Sequence, residues 1–212
     1  MTLFTRSNSA RFRTHLTIAV SVAALLAGCA GESGEPDMAA TSSVEPQDAF
    51  WNAAQELCGR TFAGRLTHGG PSDSVLANSE LRMHVRECSP DELRIPFHVG
   101  DDRSRTWVLT RTADGLRLKH DHRHEDGSED SITQYGGDTR GPGTAQRQEF
   151  YADSLTAALI PAAQTNVWTI EILADTMFTY ALRREGTDRR VRAEFDLRRE
   201  VDAPPPPWGA SP

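Results

Sequence analysis

The chain has 212 residues, enough for one domain with appendages. Its formal charge is −7, hydrophobic residues make up 38%, and there is no basic block. This balance argues against nucleic acid as a partner and is that of an ordinary soluble surface.

The first residues are an address and not part of the fold. Arg6, Arg11 and Arg13 form a positive start without an acidic residue, and Leu16 to Ala27 is an apolar run too short for a comfortable membrane span. The run ends in Leu26-Ala27-Gly28-Cys29. That ending resembles the lipobox of bacterial lipoproteins, with small residues before the cysteine. The resemblance implies a signal peptide over 1–28, cleavage before Cys29 and lipidation of Cys29, which becomes the acylated N-terminus. Several acyl chains anchor a protein stably. Residue 30 is Ala and not Asp, which in lipoproteins of diderm bacteria implies the outer membrane. The expected partner is thus the membrane, through Cys29, and the expected location is the cell envelope. Removing the leader takes away three arginines and no acid, leaving 20 basic against 30 acidic residues, a net of −10.

With Cys29 lipidated, Cys58 and Cys88 remain as an even pair. In an oxidising compartment a disulfide between them is expected, with two buried thiols as the alternative.

Residues 29–47 are rich in Gly, Ser, Glu, Pro and Ala and are expected to form a flexible tether. Asp48 to Leu57 is one short helix, with Phe50, Ala53, Ala54 and Leu57 on one face and Gly59 after its end. From there strand follows strand over a domain spanning 48–201. Phe62, Gly64 and Leu66 alternate, and His68 continues their phase. Leu81, Met83 and Val85 alternate with arginines and His84. Leu93, Ile95, Phe97 and Val99 alternate with Arg94, Pro96 and His98. Trp107 and Leu109 lead into Asp114-Gly115, and Leu116 to His124 leads into Asp126-Gly127. Strands over Ser131–Gly136 and Gln146–Tyr151 follow, then a brief helix capped by Asp153 and stopped by Pro161. Strands over Val167–Leu173, Met177–Arg183 and Arg190–Leu197 complete the domain. Gly136-Gly137 and Gly141-Pro142-Gly143 have the composition of turns. Short strands at such spacing predict an all-β fold, an up-and-down antiparallel barrel of about 8–10 strands with a short N-terminal helix. The layout looks like the lipocalin and fatty-acid-binding (calycin-like) barrels, a likeness of architecture that implies no function. Residues 202–212 are a proline-rich tail, expected to be disordered.

The candidate site lies on one strand. In Leu116 to His124, Leu116, Leu118, His120, His122 and His124 share a face. Two-residue turns at Asp114-Gly115 and Asp126-Gly127 would place Leu109 opposite His120, Trp107 opposite His122 and His124 opposite Glu129. The inner surface then gathers Trp107, Leu109, the three histidines, Glu129, Thr133 and Tyr135. His84 and His98 fall on the outer phase with arginines, as solvated residues.

Three readings of the histidine face stay open. One is a structural polar network near the barrel mouth. The second is a small-ligand pocket formed by Trp107, Arg111, His120, His122, His124, Tyr135, Trp168 and Tyr180. The third is a metal centre in which His120, His122, His124 and Glu129 hold one divalent transition ion. The spacing from His122 through His124 and Glu129 to Gly136 resembles the first cupin motif. It departs from that motif in the position of Gly115 and in lacking any histidine after Glu129. The functional classes that follow are a binding lipoprotein, a metal-dependent enzyme and an envelope scaffold.

Overall fold

The computed structural model describes residues 45–211. The expected signal peptide and residues 29–44 of the expected tether, Cys29 among them, lie outside the described residues. Helix α1 (Pro46–Gln55) opens the domain, two residues earlier than the sequence suggests. Pro46 fits the first helical turn, where a missing N–H costs no bond. Its buried face carries Phe50, Trp51 and Ala54, and Leu57 follows it into the core.

The strands are β1 (Thr61–His68), β2 (Leu81–His84), β3 (Glu87–Cys88), β4 (Glu92–Val99), β5 (Asp102–Thr112) and β6 (Gly115–His122). They continue as β7 (Tyr135–Thr139), β8 (Arg147–Ala152), β9 (Asn166–Leu173), β10 (Met177–Arg184) and β11 (Arg190–Glu200). Neighbours from β4 to β11 pair in sequence, antiparallel throughout, and β11 returns to β1. Closure comes from β2, which pairs with β1 on one side and β4 on the other. The two-residue β3 continues β2 along β4 after a one-residue irregularity, so the two make a single stave. The result is a closed ten-staved barrel without a free sheet edge, as the alternation in sequence predicts.

The disulfide expected from the cysteine count is present: Cys58, just after α1, bonds Cys88 of β3. Two further α-helices lie between strands among the described residues. The first, α2 (Ser74–Ala77), is one turn long. The second, α3 (Ser154–Leu159), is capped as expected, Thr156 N–H donating to the Asp153 carboxylate at 2.8 Å.

Three local expectations need correction. The β5–β6 turn is Ala113-Asp114, between the paired residues Thr112 and Gly115. Gly115 is therefore the first strand residue, where a Cβ would lie 2.5 Å from the Thr139 hydroxyl. The register moves by two, so every side chain keeps its face, but His120 now faces Trp107 and His122 faces Arg105. The strand expected over Ser131–Gly136 begins only at Tyr135, and Gly136-Gly137 lies inside β7 instead of forming a turn. A Cβ on Gly137 would sit 1.6 Å from the Tyr151 carbonyl oxygen, and the bare backbone at Gly136 exchanges two 2.7 Å hydrogen bonds with the Thr156 hydroxyl of α3. The third correction concerns the tail. In place of a disordered end, residues 204–211 lie against the barrel's outer wall. Trp208 N–H donates to the Arg103 carbonyl at 3.1 Å, Arg103 Nη1 to the Pro206 carbonyl at 3.1 Å, and Arg86 Nη2 to the Ser211 carbonyl at 2.5 Å.

Candidate functional site

The inner wall is filled with rings. Trp107 stacks on Tyr180 at 4.4 Å between centroids and on Phe97 at 4.7 Å, with Phe178 and Phe195 at 6.1 Å. Strand alternation sends these residues inward, and offset and edge contacts among them stabilise the core beyond simple burial.

His120 sits in this packing, 2% exposed, its ring parallel to Tyr135 at 4.3 Å. Its Nδ1 lies 3.1 Å from the Tyr135 carbonyl oxygen. A carbonyl only accepts, so Nδ1 carries the proton and Nε2 accepts from the Tyr180 hydroxyl at 2.8 Å. Both ring nitrogens are satisfied. Burial pushes the imidazole pKa down to about 3, and it is neutral at physiological pH. Beside it, His122 Nε2 lies 3.2 Å from the Tyr135 hydroxyl. Burial lowers the His122 pKa, with Arg105 adding to the effect, and raises that of Tyr135 to about 12.

The structure thus gathers Trp107, His120, His122, Tyr135, Trp168 and Tyr180, six of the eight residues expected in a ligand pocket, through ring contacts centred on Trp107, His120 and Tyr135. Arg111 is not with them. It lies at the barrel end closed by α1, bonded to Asp48 and over the Trp51 ring at 5.6 Å. His124 is exposed beyond the end of β6. Glu129 is exposed too, pairing with Arg123 at 3.2 Å, and the bridge there joins Arg123 with Glu129 and not His124 with Glu129. The four residues considered as metal ligands do not converge. Among the described residues no group of three or more His, Cys, Asp and Glu side chains is placed to hold an ion. The residues present do not fit the metal that the cupin-like spacing implies.

Unsatisfied chemistry lies on the outer wall, where the tail crosses β2, β4 and β5. Two cavities of about 480 and 490 Å³ flank Trp208. In the second, the buried Asp121 carboxylate is fully answered by Arg94 at 2.5 Å and Arg123 at 3.1 Å. The first is lined by Glu80, Arg82, His98, Asp101, Arg103 and Trp208, among others. Here His98 Nε2 and Trp208 Nε1 are both buried without a hydrogen-bond partner among the described residues. Orphaned buried polar atoms are rare and call for an explanation. The third such atom, Gln148 Oε1, belongs to an amide whose Nε2 already holds the 142–144 loop by two carbonyl bonds.

The expectation that His84 and His98 are merely solvated is therefore corrected. His98 points outward from β4 as the alternation requires, yet it is only 2% exposed and lines a cavity together with Pro204, Pro205 and Trp208 of the tail. Burial first, then Arg103, His84 and Arg82, hold its pKa down at about 4. Half-buried His84 is also lowered, by burial and Arg86. Strand phase places a side chain on a face; it does not disclose that a segment over a hundred residues later lies across that face.

The fold and this site define a closed antiparallel barrel, compatible with the calycin-like layout, that carries a partly unsatisfied polar cleft on its wall. No protein family, curated protein or solved structure matches the chain.

Proposed function

We propose that the protein is a lipid-anchored envelope lipoprotein whose barrel binds a small ligand in a histidine-lined pocket, the histidine being His98. One observation carries the binding reading: two buried nitrogens, His98 Nε2 and Trp208 Nε1, find no partner among the described residues, and the two side chains that carry them line the same cavity. Leaving buried donors or acceptors unpaired costs about 1–3 kcal/mol each. A ligand that satisfies them recovers that cost. The cavity's size falls in the range of small-molecule sites. The anchor rests on the leader, with its basic start, apolar run and Leu-Ala-Gly-Cys ending.

The test is native mass spectrometry of the mature chain extracted from membranes, set beside its denatured mass. A small organic adduct that is absent in His98→Leu is expected. For the anchor, Cys29→Ser should move the protein from the membrane to the soluble fraction; retention in the membrane would refute it.

A second reading, a rigid envelope scaffold, is favoured by the ring-filled lumen. It requires a bare polypeptide in the same experiment and wild-type stability in His98→Leu.

A further inference from the structure

The cleft has a floor and a rim of opposite chemistry. At the floor lie buried His98, the Trp208 indole N–H, and the half-buried guanidinium groups of Arg82 and Arg103. Among the described residues Arg82 donates one side-chain bond, Nε to Glu80 at 2.8 Å, and Arg103 one, Nη1 to the Pro206 carbonyl at 3.1 Å. A guanidinium has five N–H donors in a planar fork, so each retains several. At the rim stand Glu80, Asp101 and Glu125, all exposed. Asp101 and Glu125 form no ion pair among the described residues. Pro204 and Pro205 close one side with backbone that has no N–H to offer.

On the binding reading above, we infer that the cleft takes a small zwitterion, a free amino acid or short peptide, whose carboxylate reaches the arginine floor and whose ammonium faces the acidic rim. A guanidinium fork matches a carboxylate, and such charge-assisted bonds are the strong ones. Inorganic phosphate would meet the unpaired rim carboxylates of Asp101 and Glu125, of its own sign. A neutral sugar would leave Arg103, Asp101 and Glu125, which form no ion pair among the described residues, without a charged partner. The two orphaned nitrogens are closed to water in this structure, so full engagement requires the 204–208 segment to shift, and Trp208 reports on it.

The test is a titration of the mature lipidated chain in detergent micelles. The readouts are the Trp208 indole N–H resonance, assigned by its loss in Trp208→Phe, and calorimetric heat. The probes are alanylalanine, its C-terminal amide, its N-acetyl derivative, inorganic phosphate and maltose. Alanylalanine should move the indole signal and bind about tenfold or more tightly than either blocked form. His98→Leu should weaken it about tenfold, and His98→Gln, which restores a polar partner, only slightly. Arg82→Gln, on a half-exposed side chain, gives a second variant should His98→Leu misfold, and it should also weaken binding. Equal binding of the blocked forms would overturn the zwitterion. So would movement of the indole by phosphate or maltose alone, although the ligand-binding reading would then survive. A silent indole with all five probes overturns the zwitterion, and joined to a bare native mass it overturns the binding reading as well.

Discussion

His120 and His98 differ in what surrounds them, and their substitutions should differ accordingly. His120 has both nitrogens bonded and lies in ring contact with Tyr135 and Trp168. His120→Ala leaves a cavity and orphans the Tyr180 hydroxyl, and should cost about 3–4 kcal/mol in urea unfolding. His124→Ala, at an exposed position, should stay within about 0.5 kcal/mol. Equal costs would contradict the network described here. Acid acts on both buried histidines in one direction. Each binds its proton more weakly when folded: His98 falls from 6.5 to about 4 and His120 from 6.5 to about 3. The unfolded chain therefore takes up more protons below pH 6.5, and stability is lost as pH falls from 6.5 through 4 toward 3. For His98 alone the loss is about 3 kcal/mol. Urea midpoints measured from pH 7 to pH 4 should decline, and His98→Gln should flatten part of that slope. A profile indifferent to His98 would place its titration elsewhere. Which histidine matters was only half legible in the sequence. Alternation put His120 inside correctly, whereas nothing in the neighbourhood of His98 announces the residues that cover it.

The staves were legible, because period-two alternation is a local signal, and so were the Asp153 cap and the Cys58–Cys88 pair. Registers were less so. A glycine after aspartate resembles a turn residue, but Gly115 is needed where Thr139 approaches the strand, a contact between residues far apart in sequence. Gly136-Gly137 misleads in the same way, since Tyr151 and Thr156 impose its bareness. The tail was illegible for a related reason. Four prolines carry no periodicity, and what holds the segment is the backbone and guanidinium of Arg103, with Arg86 at its far end. Its role can be isolated by deleting residues 203–212. The barrel should remain folded, because closure is completed by β1, β2, β4 and β11 without the tail. His98 should then rise from about 4 toward 6.5, since its largest depressing influence is burial. It should stop short of 6.5 because Arg103, Arg82 and His84 remain beside it. Proton NMR titration of the imidazole measures this, and an unmoved value near 4 would mean that the wall alone buries His98.

At the scale of the whole molecule the disulfide is the main constraint on the open chain. Barrel closure joins β1 to β11 and β2 to β4, pairings that are costly because long loops must be ordered before contacts form. Cys58–Cys88 closes a loop of 30 residues in sequence separation, tying the end of α1 to the stave that completes the ring. The loop it spans contains β1 and β2, so the unfolded chain already holds the closing segment near the helix that covers one end. In the chain-entropy account such a loop contributes about 4 kcal/mol. The double variant Cys58→Ser/Cys88→Ser should therefore lower Tm by about 10 °C, given about 2–4 °C per kcal/mol for a chain of this size. Dithiothreitol should reproduce the shift in the wild type and leave the variant unmoved. Because the loss arises in the unfolded state, the folded variant should keep its near-ultraviolet circular dichroism from the Trp107–Tyr180 stack. A Tm within about 2 °C of wild type would show that the unfolded ensemble already holds α1 near β3 without the bond. Exported protein, with the bond formed, should be the stable form, and protein retained in a reducing cytosol the fragile one. Comparing the two by urea midpoint links the fold to the address that the leader implies.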